Sequence, residues 1–180
     1  MSAARALAPV FVAMSLSLAA CVSIPDTYAP PIERRPVTGF EANTIRSVVY
    51  MNDASAQAYI LKDVSPTLEA GAWRWAFQRP ELRFVLVRTE GIKLVMDFAI
   101  AEATFKQTGP VTLSFFVNGQ LLDKVRYDEP GNKHFEKPVP SGWLHAGEMN
   151  IMAAEIDKLY VSPQGDGKLG FILSRAGFIE

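Results

Sequence analysis

The chain has 180 residues and a formal net charge of −1, so it lacks the basic surplus that marks a nucleic-acid binder. Apolar residues make up 49 % of it, enough to give one domain of this length a real core. One cysteine provides no pair for an intrachain disulfide and no cysteine cluster for zinc, so stability is expected from packing.

The first element is a signal segment. Arg5 is the only charge before Cys21, and residues 6–20 are almost all apolar or small, the length of a signal h-region. That run is shorter than the roughly 20 apolar residues of a spanning helix, and Pro9 interrupts it. Leu18-Ala19-Ala20-Cys21 resembles the lipobox of bacterial lipoproteins. The resemblance implies that residues 1–20 are a signal peptide and that Cys21 becomes an acylated N-terminus anchored in a membrane. Val22 and Ser23 follow the cysteine, and the sorting rule of such lipoproteins then implies the outer membrane, facing the periplasm. An ordinary secretory signal, with Cys21 as a leftover thiol, is the plainer alternative. Losing Arg5 leaves 17 basic against 19 acidic residues, a net charge of −2.

Residues 21–43 read as a tether. Pro25, Pro30, Pro31 and Pro36 interrupt helix and central strand alike. Extended at about 3.1 Å per residue, the segment reaches roughly 60 Å. Its last part, residues 36–43, reads equally well as an irregular arm packed on the domain.

From residue 44 to 180 the pattern is strand. Residues 44–51 and 57–62 are short β-rich runs around a turn, Asn52-Asp53-Ala54-Ser55, with a helical turn over 54–58 as an alternative. Leu82, Phe84 and Leu86 alternate with Arg83, Val85 and Val87; after Glu90-Gly91, Ile92, Leu94, Met96, Phe98 and Ile100 alternate again. That period of two marks half-buried strands, and the two runs read as a hairpin. Val111, Leu113, Phe115 and Val117 share a face and run into Asn118-Gly119, the strongest two-residue hairpin signal in the chain. A loop is expected over 129–134, an extended piece over 135–139, and strands over 150–161 and 168–173 ahead of Gly177. Many short strands at this spacing predict an all-β, jelly-roll-like antiparallel β-sandwich.

Gly71-Ala72-Trp73-Arg74-Trp75, then Val117-Asn118-Gly119, then Asp166-Gly167-Lys168-Leu169-Gly170 follow one another in order. The order resembles the jelly-roll domains that accompany some glycosyltransferases and glycan-active enzymes, related in shape to galactose-binding-like carbohydrate modules. It covers roughly residues 57–178 and implies carbohydrate binding.

Sugars offer apolar faces to aromatic rings and hydroxyls to polar side chains. The ligand-binding candidates are therefore Trp73, Arg74 and Trp75, with Glu69 upstream and Trp143 on a Pro-Ser-Gly turn. Trp73 and Trp75 face one side of a strand and Arg74 the other. The plainer reading puts both indoles in the core, holds Arg74 in an ion pair, and uses Trp143 as a plug at one end of the sandwich. Asn118 reads as turn chemistry. Asp166 reads first as a turn residue, with a structural calcium as the alternative, although no run of alternating oxygen ligands surrounds it.

An enzyme reading finds little to stand on. Glu155 and Asp157 share a strand face, but Met152, Ala154, Ile156 and Tyr160 take the opposite parity and look like the core side. His134 and His145, both expected in loops, lack spaced companion ligands. No catalytic residue, metal or cofactor is expected. The sequence thus points to a lipid-anchored envelope protein whose sandwich binds a glycan. A protein-interaction lipoprotein of an envelope assembly is the alternative, and a glycan hydrolase stands further back.

Overall fold

The computed structural model describes residues 46–162 and 167–180. The signal segment, Cys21, the tether and Asp166 lie outside these residues.

Eleven strands form among the described residues: β1 (Val48–Tyr50), β2 (Ile60–Val64), β3 (Arg74–Val85), β4 (Lys93–Ile100), β5 (Val111–Val117), β6 (Gln120–Tyr127), β7 (Gly131–Pro138), β8 (Met149–Ile156), β9 (Tyr160–Val161), β10 (Lys168–Leu169) and β11 (Phe171–Ile179). A seven-residue helix, α1 (Glu102–Thr108), joins β4 to β5. The main sheet runs β6-β5-β8-β3-β11-β4-β7, with β1 on β11 and β2 on β3, and every strand pair is antiparallel.

β3 is the hinge of this path. Its first residues, 74–76, pair with β11, and residues 81–85 pair with β8. Pro80 lies between the two stretches, where a residue without an N–H costs the ladder least. The path therefore folds into two layers, β6-β5-β8 and β11-β4-β7, that share β3.

Aromatic contacts locate the core between the layers. Phe98 of β4 meets Tyr127 of β6 at 5.4 Å between ring centroids, and Phe84 of β3 meets Phe178 of β11 at 5.6 Å. Phe115 of β5 stacks on Phe135 of β7 at 3.6 Å. The outer strands β6 and β7 are linked by a Lys137–Asp123 ion pair of 2.7 Å, so the sandwich is nearly a closed barrel. The all-β, jelly-roll-like expectation is met.

Alternation placed the core strands well. Leu82, Phe84, Leu86, Leu94, Met96, Phe98 and Ile100 are all buried, as are the inward residues of β5. The Asn118-Gly119 turn joins β5 to β6 with φ of 48° and 80°, the positive pair such a turn requires.

Pairing was read less well. The runs 82–87 and 92–100 do not form a hairpin, because β11 lies between β3 and β4. The loop expected over 129–134 is mostly strand: β7 begins at Gly131 and carries His134. Of the expected strand 44–51, Val48–Tyr50 forms among the described residues, and Ala56–Ala58 takes the alternative helical turn as a 3-10 turn. The strand expected over 150–161 ends at Ile156, and β9 follows separately.

The last strand runs through Gly177 instead of stopping before it. At Gly177 (φ 148°) a Cβ would stand 2.2 Å from the Ser47 carbonyl oxygen, so only glycine lets β1 lie this close to β11.

Candidate functional site

The turn before β3 decides which way the Trp-Arg-Trp run faces. Ala70 and Gly71 both have positive φ, 48° and 67°, which reverses the chain within two residues. The Glu69 N–H donates to the Trp73 carbonyl (2.8 Å), and the Trp73 N–H donates back to Glu69 (3.3 Å). Glu69 and Trp73 thus face each other across this turn, their side chains on one face.

Arg74 then points inward. Only 9 % of it is exposed, and its guanidinium donates to the carbonyls of Met51 (3.2 Å), Ser65 (3.3 Å) and Pro66. The ion pair expected for Arg74 is not formed; backbone carbonyls take its place.

Trp73 and Trp75 are half-buried and stand outside the core cluster. Their rings meet edge to face, with centroids 5.4 Å apart and planes at 90°. The core-filling reading of the two indoles is therefore corrected: Ala76 and Arg74 take the inward positions of the strand.

Sheet register continues this outward face. Trp75 stands opposite Ile172 of β11, Ile172 opposite Ala99 of β4, and Ala99 opposite Asn132 of β7. The next row on the same face runs Tyr50, Arg175, Asp97, His134 across β1, β11, β4 and β7. Three strand spacings make each row about 14 Å long.

The second row is one connected charge network. Arg175 Nη1 donates to Asp97 Oδ2 at 3.1 Å, and Asp97 Oδ1 lies 2.5 Å from His134 Nδ1. His134 Nε2 faces Glu136 at 3.5 Å, and Glu136 accepts from Lys93 at 2.8 Å. The hydrogen bond to Asp97 is the main cause that lifts the His134 imidazole above its ordinary range, partly opposed by desolvation and aided by the charges of Asp97 and Glu136. Lys93 holds the Glu136 carboxyl below its usual range. The Arg175 guanidinium lies 5.7 Å from the centroid of the Tyr50 ring, and its Nε is buried with no acceptor among the described residues.

Sequence reasoning missed this row. Its residues come from four strands remote in the chain. Outward parity marks Asp97 within β4, but no local pattern announces the register that aligns it with His134 and Arg175.

Trp143 lies elsewhere. It ends a 3-10 turn, Ser141–Trp143, and packs partly against the core. Its carbonyl accepts from Asn118 Nδ2 at 2.7 Å. Asn118 is more than a turn residue: it also bonds fully buried Asn150, and its Oδ1 accepts the Ile151 N–H at 2.7 Å.

Glu155 is engaged by Arg79 at 2.7 Å, and Asp157 accepts the Thr112 N–H at 2.7 Å. Met152, Ala154 and Ile156 face the core as expected, with Tyr160 only half-buried. His145 is exposed in a loop. Among the described residues no group of three His, Cys, Asp or Glu side chains is arranged to hold a metal ion. A cleft of about 300 Å³ beside the end of β3, lined by Ser47, Leu86, Arg88 and Phe178 among others, contains none of the candidate residues.

No protein-family model and no curated protein matches the chain. Solved structures do resemble it loosely. An acetyl xylan esterase, Est2A, from the rumen bacterium Butyrivibrio proteoclasticus has a TM-score of 0.42 at 11 % identity, over 74 % of this chain and 33 % of that one. The chain thus spans about a third of the esterase's length. A family 35 carbohydrate-binding module from Clostridium thermocellum has a TM-score of 0.42 at 13 % identity, over 75 % of this chain and 99 % of the module. A CBM35 from Paenibacillus barcinonensis scores 0.35 at 14 % identity, over 76 % and 94 %.

Of the sequence candidates, then, Glu69, Trp73 and Trp75 are brought together at the head of β3. Arg74 is withdrawn into the interior, and Trp143 lies apart beside Asn118.

Proposed function

We propose that this is a lipid-anchored protein of the bacterial cell envelope, held in the outer membrane through acylated Cys21, whose β-sandwich binds a glycan without catalysing its turnover. The observation that carries the glycan reading is the pair of half-exposed indoles, Trp73 and Trp75, set at 90° outside the core. Indoles cost the most to leave in water and are ordinarily drawn inward. Here the Trp73-Arg74-Trp75 run buries its arginine and leaves both tryptophans half-exposed outside the core. A half-exposed indole pair next to Glu69 suits a ligand with an apolar C–H face and a rim of hydroxyls.

An array of bacterial and plant glycans, probed with the wild-type chain and with Trp75→Ala, tests this reading. Saturable binding lost in the variant supports it; a blank array with folded protein removes it. The anchor is tested separately: Cys21→Ser should release the protein from membranes, and retention after a high-salt wash would contradict acylation.

A second reading, docking on an envelope protein, is favoured by one observation. Val85 and Met149 stand opposite each other on β3 and β8, exposed by 38 % and 52 %, and Val87 beside them is 71 % exposed. That is an apolar patch at the opposite end of β3 from the indole pair.

A further inference from the structure

The charges on the outward face say which sugars suit it. Every cation of the network already has a carboxylate at hand: Arg175 has Asp97 at 3.1 Å, His134 has Asp97 at 2.5 Å, and Lys93 has Glu136 at 2.8 Å. Glu69, next to Trp73, has no cation paired with it among the described residues. Arg175 and His134 share the one Asp97 carboxylate, so with His134 uncharged Arg175 and Lys93 balance Asp97 and Glu136, and Glu69 remains as one unpaired negative charge. Protonated His134 brings the sum to zero; in neither state does the face carry a positive surplus.

We propose that the row Tyr50–Arg175–Asp97–His134 is the hydroxyl-reading half of the same site, and that the site selects a neutral polysaccharide over one bearing carboxylates or phosphates. The proposal rests on the glycan reading of the indole pair and deepens it.

The chemistry follows from what each class of ligand can offer. A hydroxyl both donates and accepts, so it can give its proton to a carboxylate oxygen and take an N–H from the neighbouring cation without breaking their pair. Asp97 uses two of its roughly four acceptor positions on Arg175 and His134, which leaves capacity for such donors. The Arg175 side chain is fixed by Asp97 on one side and faced by the Tyr50 ring on the other, so it is already oriented before a ligand arrives. The charged group of an acidic polymer, a uronate carboxylate or a phosphodiester, has only acceptors to offer, whatever hydroxyls its ring keeps. It would have to compete with Asp97 or Glu136 for a cation they already hold, and it would do so beside Glu69, where like charges repel.

Affinity electrophoresis of the full chain tests this. Native gels would contain mannan, xylan or hydroxyethyl cellulose in one set and polygalacturonate or alginate in the other. The wild type should be retarded by at least one neutral polymer and not by the acidic ones. Asp97→Asn frees Arg175 as a spare cation and should shift the preference toward the acidic polymers by roughly tenfold, as one added unit of local charge supplies. Glu69→Gln, whose turn is held by backbone hydrogen bonds that the substitution leaves in place, should shift it the same way and keeps the test open if Asp97→Asn fails to fold. Preference of the wild type for acidic polymers, or an unchanged ratio in Glu69→Gln, overturns this proposal and leaves the glycan reading standing. Retardation by neither class overturns the glycan reading and this proposal with it.

Discussion

Arg74 and Trp75 are neighbours in sequence with opposite fates. The Arg74 guanidinium is buried and serves the carbonyls of Met51, Ser65 and Pro66. Truncating it strands the buried Met51 carbonyl and removes the donor that ties down the Ser65 and Pro66 carbonyls, so Arg74→Ala should cost on the order of 3 kcal/mol in denaturant unfolding. Trp75 lies outside the core, and Trp75→Ala should cost only about 1 kcal/mol, well below the roughly 3–5 kcal/mol of a buried indole. Equal losses for the two variants would contradict this assignment of faces. His134 makes a different prediction. Its proton affinity is raised in the folded protein, first by the Asp97 hydrogen bond. Such a group adds stability that is complete below its unfolded pKa, ordinarily 6.5, and that is lost as pH rises through the higher folded value. Unfolding free energy measured across that window should fall with rising pH in the wild type, and the fall should be smaller in His134→Gln.

At the scale of elements, one fully buried asparagine straps the long connection between β7 and β8. Asn150 Oδ1 accepts from the His145 N–H (2.8 Å) and from Asn118 Nδ2 (3.0 Å), and its Nδ2 donates to the carbonyls of His145 (2.8 Å) and Glu148 (3.2 Å). All four of its hydrogen-bonding positions are used. Asn150→Ala should therefore cost about 2–4 kcal/mol by thermal or denaturant unfolding; a loss within a few tenths would show that the strap holds nothing. The sequence made the strands of this region legible, because alternation reports which residues face inward. Asn118 was legible as a turn, since Asn-Gly fixes the two φ values. Its second role was not, because a bond from Asn118 to Asn150 depends on β5 lying beside β8. The same limit explains the mistaken hairpin. Strand existence is local, but the insertion of β11 between β3 and β4 is set by pairing between segments far apart in the chain, Leu173 with Arg74 and Ile179 with Lys93. The indole pair was recognised as a candidate, yet parity alone could not say which face of β3 was wet. Arg74, the more polar of the two faces, took the interior because Met51, Ser65 and Pro66 bring carbonyls to meet it.

For the whole molecule, the question is what closes one layer on the other. The Phe115–Phe135 stack and the Lys137–Asp123 ion pair both cross between β5-β6 and β7. Buried ring area outweighs a partly exposed ion pair by a wide margin. Phe135→Ala should cost roughly 3–5 kcal/mol in unfolding free energy, and Asp123→Asn less than about 1 kcal/mol. The reverse ranking would mean that electrostatics, not packing, closes the sandwich. Closure also fixes the outward face, since β11 and β4 carry core residues on one side and the Arg175–Asp97 row on the other. The central claim is that this face meets the ligand. The most direct measurement is amide and indole NMR shift mapping of the 19.8 kDa chain titrated with a neutral oligosaccharide that the gels retain. Shifts should gather on the indoles of Trp73 and Trp75 and on the amides of Tyr50, Arg175, Asp97 and His134. Shifts gathered on the Val85–Met149 face instead, with the indoles unmoved, would contradict the account.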